Sequence, residues 1–202
     1  MIEFIEQQHI YLVDGVITPS VSQILHFIFP DKYKNVDKKI LNRKAEYGTK
    51  IHESVELYEN NIKTMTLEEA FDVTVQAQEL NYIQEASLRQ YVKIKRENYI
   101  TVLEQEQMIQ YEKKYAGRFD MIASIKEKIC LCDIKTTAEL DKEYLSWQLS
   151  LYEYASKKKF EKLYAIWLPK EDLGKLVEIE RKTKKEIKEL LKRFLGGANN
   201  EK

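Results

Sequence analysis

Residues 121–125 and 129–132 are two short apolar runs separated by only Lys126-Glu127-Lys128. Runs of this length, rich in Ile and bounded by charged residues, read as buried strands, and the short polar connection makes them a β-hairpin. Residues 102–111 have the same character, so the three segments form an antiparallel meander with strands at 102–111, 118–125 and 129–136. A helical pattern follows over 140–158, ending in three lysines that suit a helix C-terminus. A further apolar run at 163–168 stops at Pro169. A strand–helix–strand step is right-handed and joins parallel strands. Antiparallel and parallel pairing must therefore meet in one sheet. The chain is expected to be α/β, with a central mixed β-sheet flanked by helices.

The rest of the chain supplies the helices. Residues 9–18 read as a hairpin turning at Asp14-Gly15. Ser20 and Gln23 form a capping box that opens a helix over 21–29, stopped by Pro30. A second helix runs to residue 60, starting at about residue 36 or 39. Thr66 and Glu69 form another capping box, opening a helical region to residue 97 with an interruption in the seventies or eighties. The N-terminal portion is thus expected to be mainly helical. Gly174 marks a turn, 176–179 reads as a last strand, and 183–195 as an amphipathic helix ended by Gly196-Gly197. No repeat or low-complexity linker divides the 202 residues, so one domain over 1–202 is expected.

Composition excludes several classes. No apolar stretch reaches the length of a membrane span. The acidic start, Met1 to Glu6, lacks the basic segment of a secretory signal. Cys130 and Cys132 sit two apart on one strand, too constrained for an ordinary disulfide. A reducing interior is the expected setting, such as the cytoplasm of a bacterium or of a phage-infected host cell. The 33 basic and 33 acidic side chains balance, which argues against a protein that coats nucleic acid nonspecifically. It leaves room for a local basic groove.

The chemistry lies at the ends of the two central strands. Gly117-Arg118-Phe119-Asp120 leads into the first, and Asp133-Ile134-Lys135 closes the second. Alternation puts Asp133 and Lys135 on one face, and the hairpin brings Asp120 alongside. Two carboxylates and an ammonium on one rigid edge can hold a hard divalent cation and position a water for phosphodiester cleavage. Taken alone, the same residues also fit solvated or salt-bridged strand ends.

The ordered set goes further. Asp120 followed by Asp133-x-Lys135 resembles the core of the PD-(D/E)XK nucleases. Gly48-Thr49-Lys50-Ile51-His52 resembles the GxxxH helix of the RecB-type members, and Gln148-Leu149-Ser150-Leu151-Tyr152 their QxxxY motif. Residues 11–25, with Asp14-Gly15 and Thr18-Pro19-Ser20-Val21-Ser22, are similar to the opening of phage and mitochondrial exonucleases of this kind. All occur in the family's order. The resemblance implies a restriction-endonuclease-like core and Mg2+ or Mn2+ as cofactor. It implies metal ligation by His52, Asp120, Asp133 and the Ile134 carbonyl, and catalysis by Asp120, Asp133 and Lys135. Gln148 and Tyr152 would support the site and contact phosphate. Arg118, Thr136 and Thr137 flank it and could do the same. Glu106 is a candidate further acid, and an exposed strand glutamate accounts for it equally well. Two cysteines cannot hold the iron–sulfur cluster of some relatives, so none is expected. The implied activity is DNA cleavage, exonucleolytic by the RecB-type likeness, in recombination, repair or phage DNA processing. The implied partners are DNA with single-stranded or free ends and a recombination protein, with no membrane. A restriction- or resolvase-type endonuclease on the same core, and a non-catalytic DNA-binding module, are the alternatives.

Overall fold

The computed structural model of the protein describes residues 1–8 and 10–197. Its centre is a five-stranded sheet of β4 (Ile100–Tyr111), β5 (Tyr115–Ile125), β6 (Lys128–Lys135), β7 (Lys162–Trp167) and β8 (Lys175–Ile179), in that spatial order. Only β6 and β7 are parallel. The crossover between them is α5 (Lys142–Ser156). The expected mixed α/β sheet is therefore present, with the meander and the parallel step where the sequence placed them. Between β5 and β6 the loop is two residues long, because Ile125 pairs with Lys128. Lys126 and Glu127 both take positive φ, 49° and 66°, the backbone of a hairpin turn that matches the strand twist.

Each face of the sheet carries its own core. On one side Phe119, Ile122, Leu131 and Leu163 pack with Leu145 and Leu149 of α5, with α1 (Val21–Ile28), and with α6 (Lys184–Gly197). On the other side Met121, Ala123, Cys130, Cys132 and Ile134 pack against α2 (Lys38–Asn61) and α4 (Tyr82–Glu97). The α2 residues Tyr47, Ile51, Val55 and Tyr58 form the buried stripe, at the three- and four-residue spacing of a helix face. Burial on both faces explains why β6 reads as a continuous apolar run rather than an alternating one.

The N-terminal portion is mainly helical as expected, with one added strand. It opens with a three-stranded antiparallel sheet, β1 (Ile2–Ile5), β2 (Ile10–Val13) and β3 (Val16–Thr18). The β2–β3 hairpin is the expected one, although His9, expected at its start, lies outside the described residues. Strand β1 went unread because four residues, Ile2-Glu3-Phe4-Ile5, are too few for a periodic signal. Beyond it, α1 and α2 follow as expected. The capping boxes at Ser20 and Thr66 are both formed. The interruption in the long helical region falls between α3 (Leu67–Ala77) and α4, where Asn81 and Gln84 make a third capping box. Helix α6 runs through Gly196 to Gly197 rather than ending before them. No helix among the described residues is long and apolar enough to cross a membrane.

Candidate functional site

Strands β5 and β6 pair from Ile125↔Lys128 to Met121↔Cys132, and there the ladder stops. The next residue of β5 is Asp120. Its Oδ2 accepts the Ile134 backbone N–H at 2.6 Å, closing the gap that a strand partner would fill. Phe119 packs into one core and Met121 into the other. Strict alternation thus breaks at Asp120, which frees its carboxylate to face the sheet edge.

Two other elements converge on this point. On β4, Gln105 pairs with Met121 and Gln107 with Phe119, so Glu106 lies opposite Asp120. Glu106 has φ 49°, a left-handed conformation that costs a residue with a Cβ on the order of 1–2 kcal/mol. From α2, His52 brings Nδ1 to 3.5 Å from Asp120 Oδ2. One ligand atom from each of His52, Glu106 and Asp120 lies within 4.8 Å of the others. His52 Nε2 lies 3.1 Å from the Ile134 carbonyl oxygen. That oxygen can only accept, so Nε2 carries a proton; burial works against a charged ring, but Asp120 outweighs it and raises the imidazole pKa, and Nδ1 offers a lone pair once its own proton has left. A histidine whose second nitrogen donates to a backbone carbonyl is oriented as metal-bound histidines are.

Asp133 and Lys135 stand beside this group. Asp133 is buried, and its Oδ2 is ion-paired with Lys135 Nζ without a well-aligned hydrogen bond. The structure thus groups Glu106 with His52 and Asp120 and leaves Asp133 next to them, with the lysine. The Ile134 carbonyl, expected as a ligand, is engaged by His52.

The charges interact strongly. Burial pushes the Asp133 carboxyl up to about 6, opposed by Lys135 and reinforced by Asp120. Glu106 is pushed up to about 7, first by burial and then by Asp120. Burial works to raise Asp120 too, but His52, Lys135 and the Ile134 N–H outweigh it and hold that carboxyl below its usual range. Burial also works against a charged Lys135, yet Asp133 and Asp120 raise its pKa, so the ammonium persists. Glu106 and Asp120, opposite one another, repel. Three carboxylates and one imidazole suit a hard or borderline divalent cation such as Mg2+ or Mn2+.

The supporting residues divide. Gln148 Nε2 donates to the Tyr152 hydroxyl at 3.4 Å, and among the described residues Gln148 Oε1 is buried without a partner. The Tyr152 ring is in the core, and it lies over Gly117, where an added Cβ would come within 2.7 Å of Cε1. Gly117→Ala is therefore expected to destabilise the protein by about 1–3 kcal/mol through overpacking, measurable as a lower urea midpoint at unchanged slope. Arg118 is less available to phosphate than expected, because Nε pairs with Glu106 at 2.8 Å. Thr136 lies against Gly48, whose added Cβ would sit 3.5 Å from Oγ1. Thr137 spends its hydroxyl on the Glu139 carbonyl at 2.7 Å. The contribution of the N-terminal sheet was missed. Phe4 lies under the Arg118 guanidinium at 5.6 Å, and Tyr11 is close enough to feel both Arg118 and Glu106.

Comparison with known proteins adds one strong finding. The family model described as the PD-(D/E)XK nuclease superfamily matches residues 27–198. No curated protein matches the chain. Among solved structures, the crystal structure of SSO0001 is similar at 17% identity with a TM-score of 0.39, covering 75% of this chain and 72% of that one. A likeness that distant carries no argument about activity.

Proposed function

The chain belongs to the PD-(D/E)XK nuclease superfamily, and from that membership we propose that it is a divalent-metal-dependent deoxyribonuclease acting through the site at the β5–β6 junction. The observation that carries this reading is the convergence of His52, Glu106 and Asp120 within 4.8 Å, beside the Asp133–Lys135 pair. His52, Glu106 and Asp120 would hold the ion, with Asp133 adjoining. When bound, it supplies Lewis-acid polarisation of the phosphate and an acidified water.

The chain's own groups do the rest. Asp120 ties β5 to β6 through Ile134 N–H, which fixes the carboxylate relative to Lys135. Lys135 holds a persistent ammonium where it can orient the attacking water and offset charge developing on the phosphate. The Ile134 carbonyl fixes the tautomer of His52. Tyr152, which feels the charges of Asp133 and Asp120, and Gln148, which donates to it, would support the site.

The exonuclease reading rests on the RecB-type motifs, Gly48 to His52 and Gln148 to Tyr152, which lie on either side of the acidic residues in sequence. Linear and circular forms of one plasmid, each incubated with Mg2+ and with Mn2+, test it. Degradation confined to the linear form supports an exonuclease. Nicking or linearisation of the circle would make it an endonuclease.

Metal loading has its own expected outcome. At about 100 Kd, Mn2+ should stabilise the protein by about 2.7 kcal/mol, a rise of a few degrees in melting temperature. The Glu106→Gln/Asp120→Asn double variant should show no such rise. Its metal-free form is melted alongside metal-free wild type, so that any change in the fold's own stability is separated from the loss of metal binding. Differential scanning fluorimetry with and without EDTA reads both.

A further inference from the structure

We propose that Arg43, Lys44 and Lys170 form a second phosphate-holding station that grips the DNA backbone some three to four nucleotides from the scissile bond. The inference rests on the nuclease reading for its direction, and on the following observations for its place.

Lys170 Nζ sits 3.5 Å from the centroid of the Tyr47 ring. That ring is fixed, because the Tyr47 hydroxyl is 2.8 Å from Ser87 Oγ and donates to the Ile83 carbonyl at 3.3 Å. Arg43 and Lys44 lie one turn before Tyr47 on α2, four and three residues earlier. Lys44 and Arg43 both act on Lys170, and after burial their charges lower its pKa. Among the described residues none of the three cations makes an ion pair or a side-chain hydrogen bond. Three cations held close with no ion-pair partner repel one another, and an anion between them relieves that repulsion.

The station lies on the approach to the site. Lys44, Gly48 and His52 are spaced by four and share one face of α2. Eight residues of helix span about 12 Å, roughly three to four base steps at 3.4 Å per step along one strand. From the other side, Leu168 N donates to the Lys135 carbonyl at 2.7 Å. Lys170 is two residues beyond that hook. The cluster and the reacting edge are thus joined by two rigid elements, and a strand with a phosphate at Lys135 passes the three cations on its way out. A mononucleotide or free phosphate has no reason to need both ends. The occupant is a continuous phosphodiester chain.

The test is binding without chemistry. A fluorescein-labelled 20-nucleotide DNA is titrated in EDTA over a series of NaCl concentrations. It is titrated with wild type, with Arg43→Gln/Lys44→Gln/Lys170→Gln, and with Lys184→Gln/Lys185→Gln/Lys188→Gln on the remote α6. Neutralising three phosphate contacts should lower the slope of log K against log salt by about 2 to 3, with at least a tenfold loss of affinity. The α6 variant should match wild type. Equal slopes and affinities for the first variant and wild type would overturn the proposal, as would an equal loss in the α6 variant. Wild type that binds through these residues but cleaves nothing with Mg2+ or Mn2+ sinks the nuclease reading alone. Wild type that cleaves while the variant binds unchanged sinks the station alone. Melting temperatures at or above wild type for the variant exclude misfolding, and single Lys44→Gln and Lys170→Gln changes serve if the triple variant melts low.

Discussion

Asp120→Asn should lower DNA cleavage by about 10²–10³-fold or more, the scale seen when a charge-stabilising group is removed from a reacting centre. The substitution is chosen to spare the fold. Asp120 Oδ2 accepts the Ile134 N–H at 2.6 Å, and the asparagine amide oxygen can accept the same bond. What is lost is the charge between His52 and Glu106. Asp120→Ala, by contrast, also leaves the Ile134 N–H without a partner, which costs roughly 1–3 kcal/mol. Cleavage of linear DNA at saturating Mg2+ and Mn2+, with circular dichroism on the same sample, checks both parts. A variant with intact fold and a near-normal rate would remove Asp120 from the catalytic group.

Lys135→Ala should produce a loss of similar size by a different route. Water positioning and compensation of phosphate charge disappear together. Metal affinity should hold or tighten, because a cation adjoining the acidic cluster has gone. The Asp133 carboxylate, freed from its ion pair with Lys135, becomes available to the ion. Calorimetric titration with Mn2+ and single-turnover cleavage separate the two effects. If metal affinity collapsed while the metal-saturated rate stayed normal, Lys135 would be organising ligands and would have no part in the chemistry.

Most of this architecture was legible because the signals were local. Two apolar runs with three charged residues between them define β5, β6 and their turn. A 15-residue helix between apolar strands defines the parallel step. Capping boxes at Ser20 and Thr66 marked helix starts because Ser or Thr followed by Gln or Glu three residues later satisfies two backbone donors at once. The candidate site was legible as a list and less so as an arrangement. Asp120, Asp133 and Lys135 are close in sequence, and the hairpin alone brings them together. Glu106 could be placed only by register. Its position opposite Asp120 depends on the irregularity at Val102/Glu104 in β4, and on a left-handed backbone at Glu106 that no side chain announces. The engagement of the Ile134 carbonyl by His52 joins residues 82 apart, a separation beyond any periodic reading. Arg118 reads from sequence as a residue flanking the site that could contact phosphate, and its pairing with Glu106 depends on the same register.

Cleavage by this site requires that His52, Glu106 and Asp120 hold the divalent ion. Anomalous diffraction from a crystal of the protein soaked in Mn2+ tests it most directly. The expected result is a manganese peak within coordination distance of His52 Nδ1 and of carboxylate oxygens from Glu106 and Asp120, beside the Asp133–Lys135 pair. Manganese bound elsewhere, with that cluster empty in a protein that cleaves DNA in the same buffer, would contradict it.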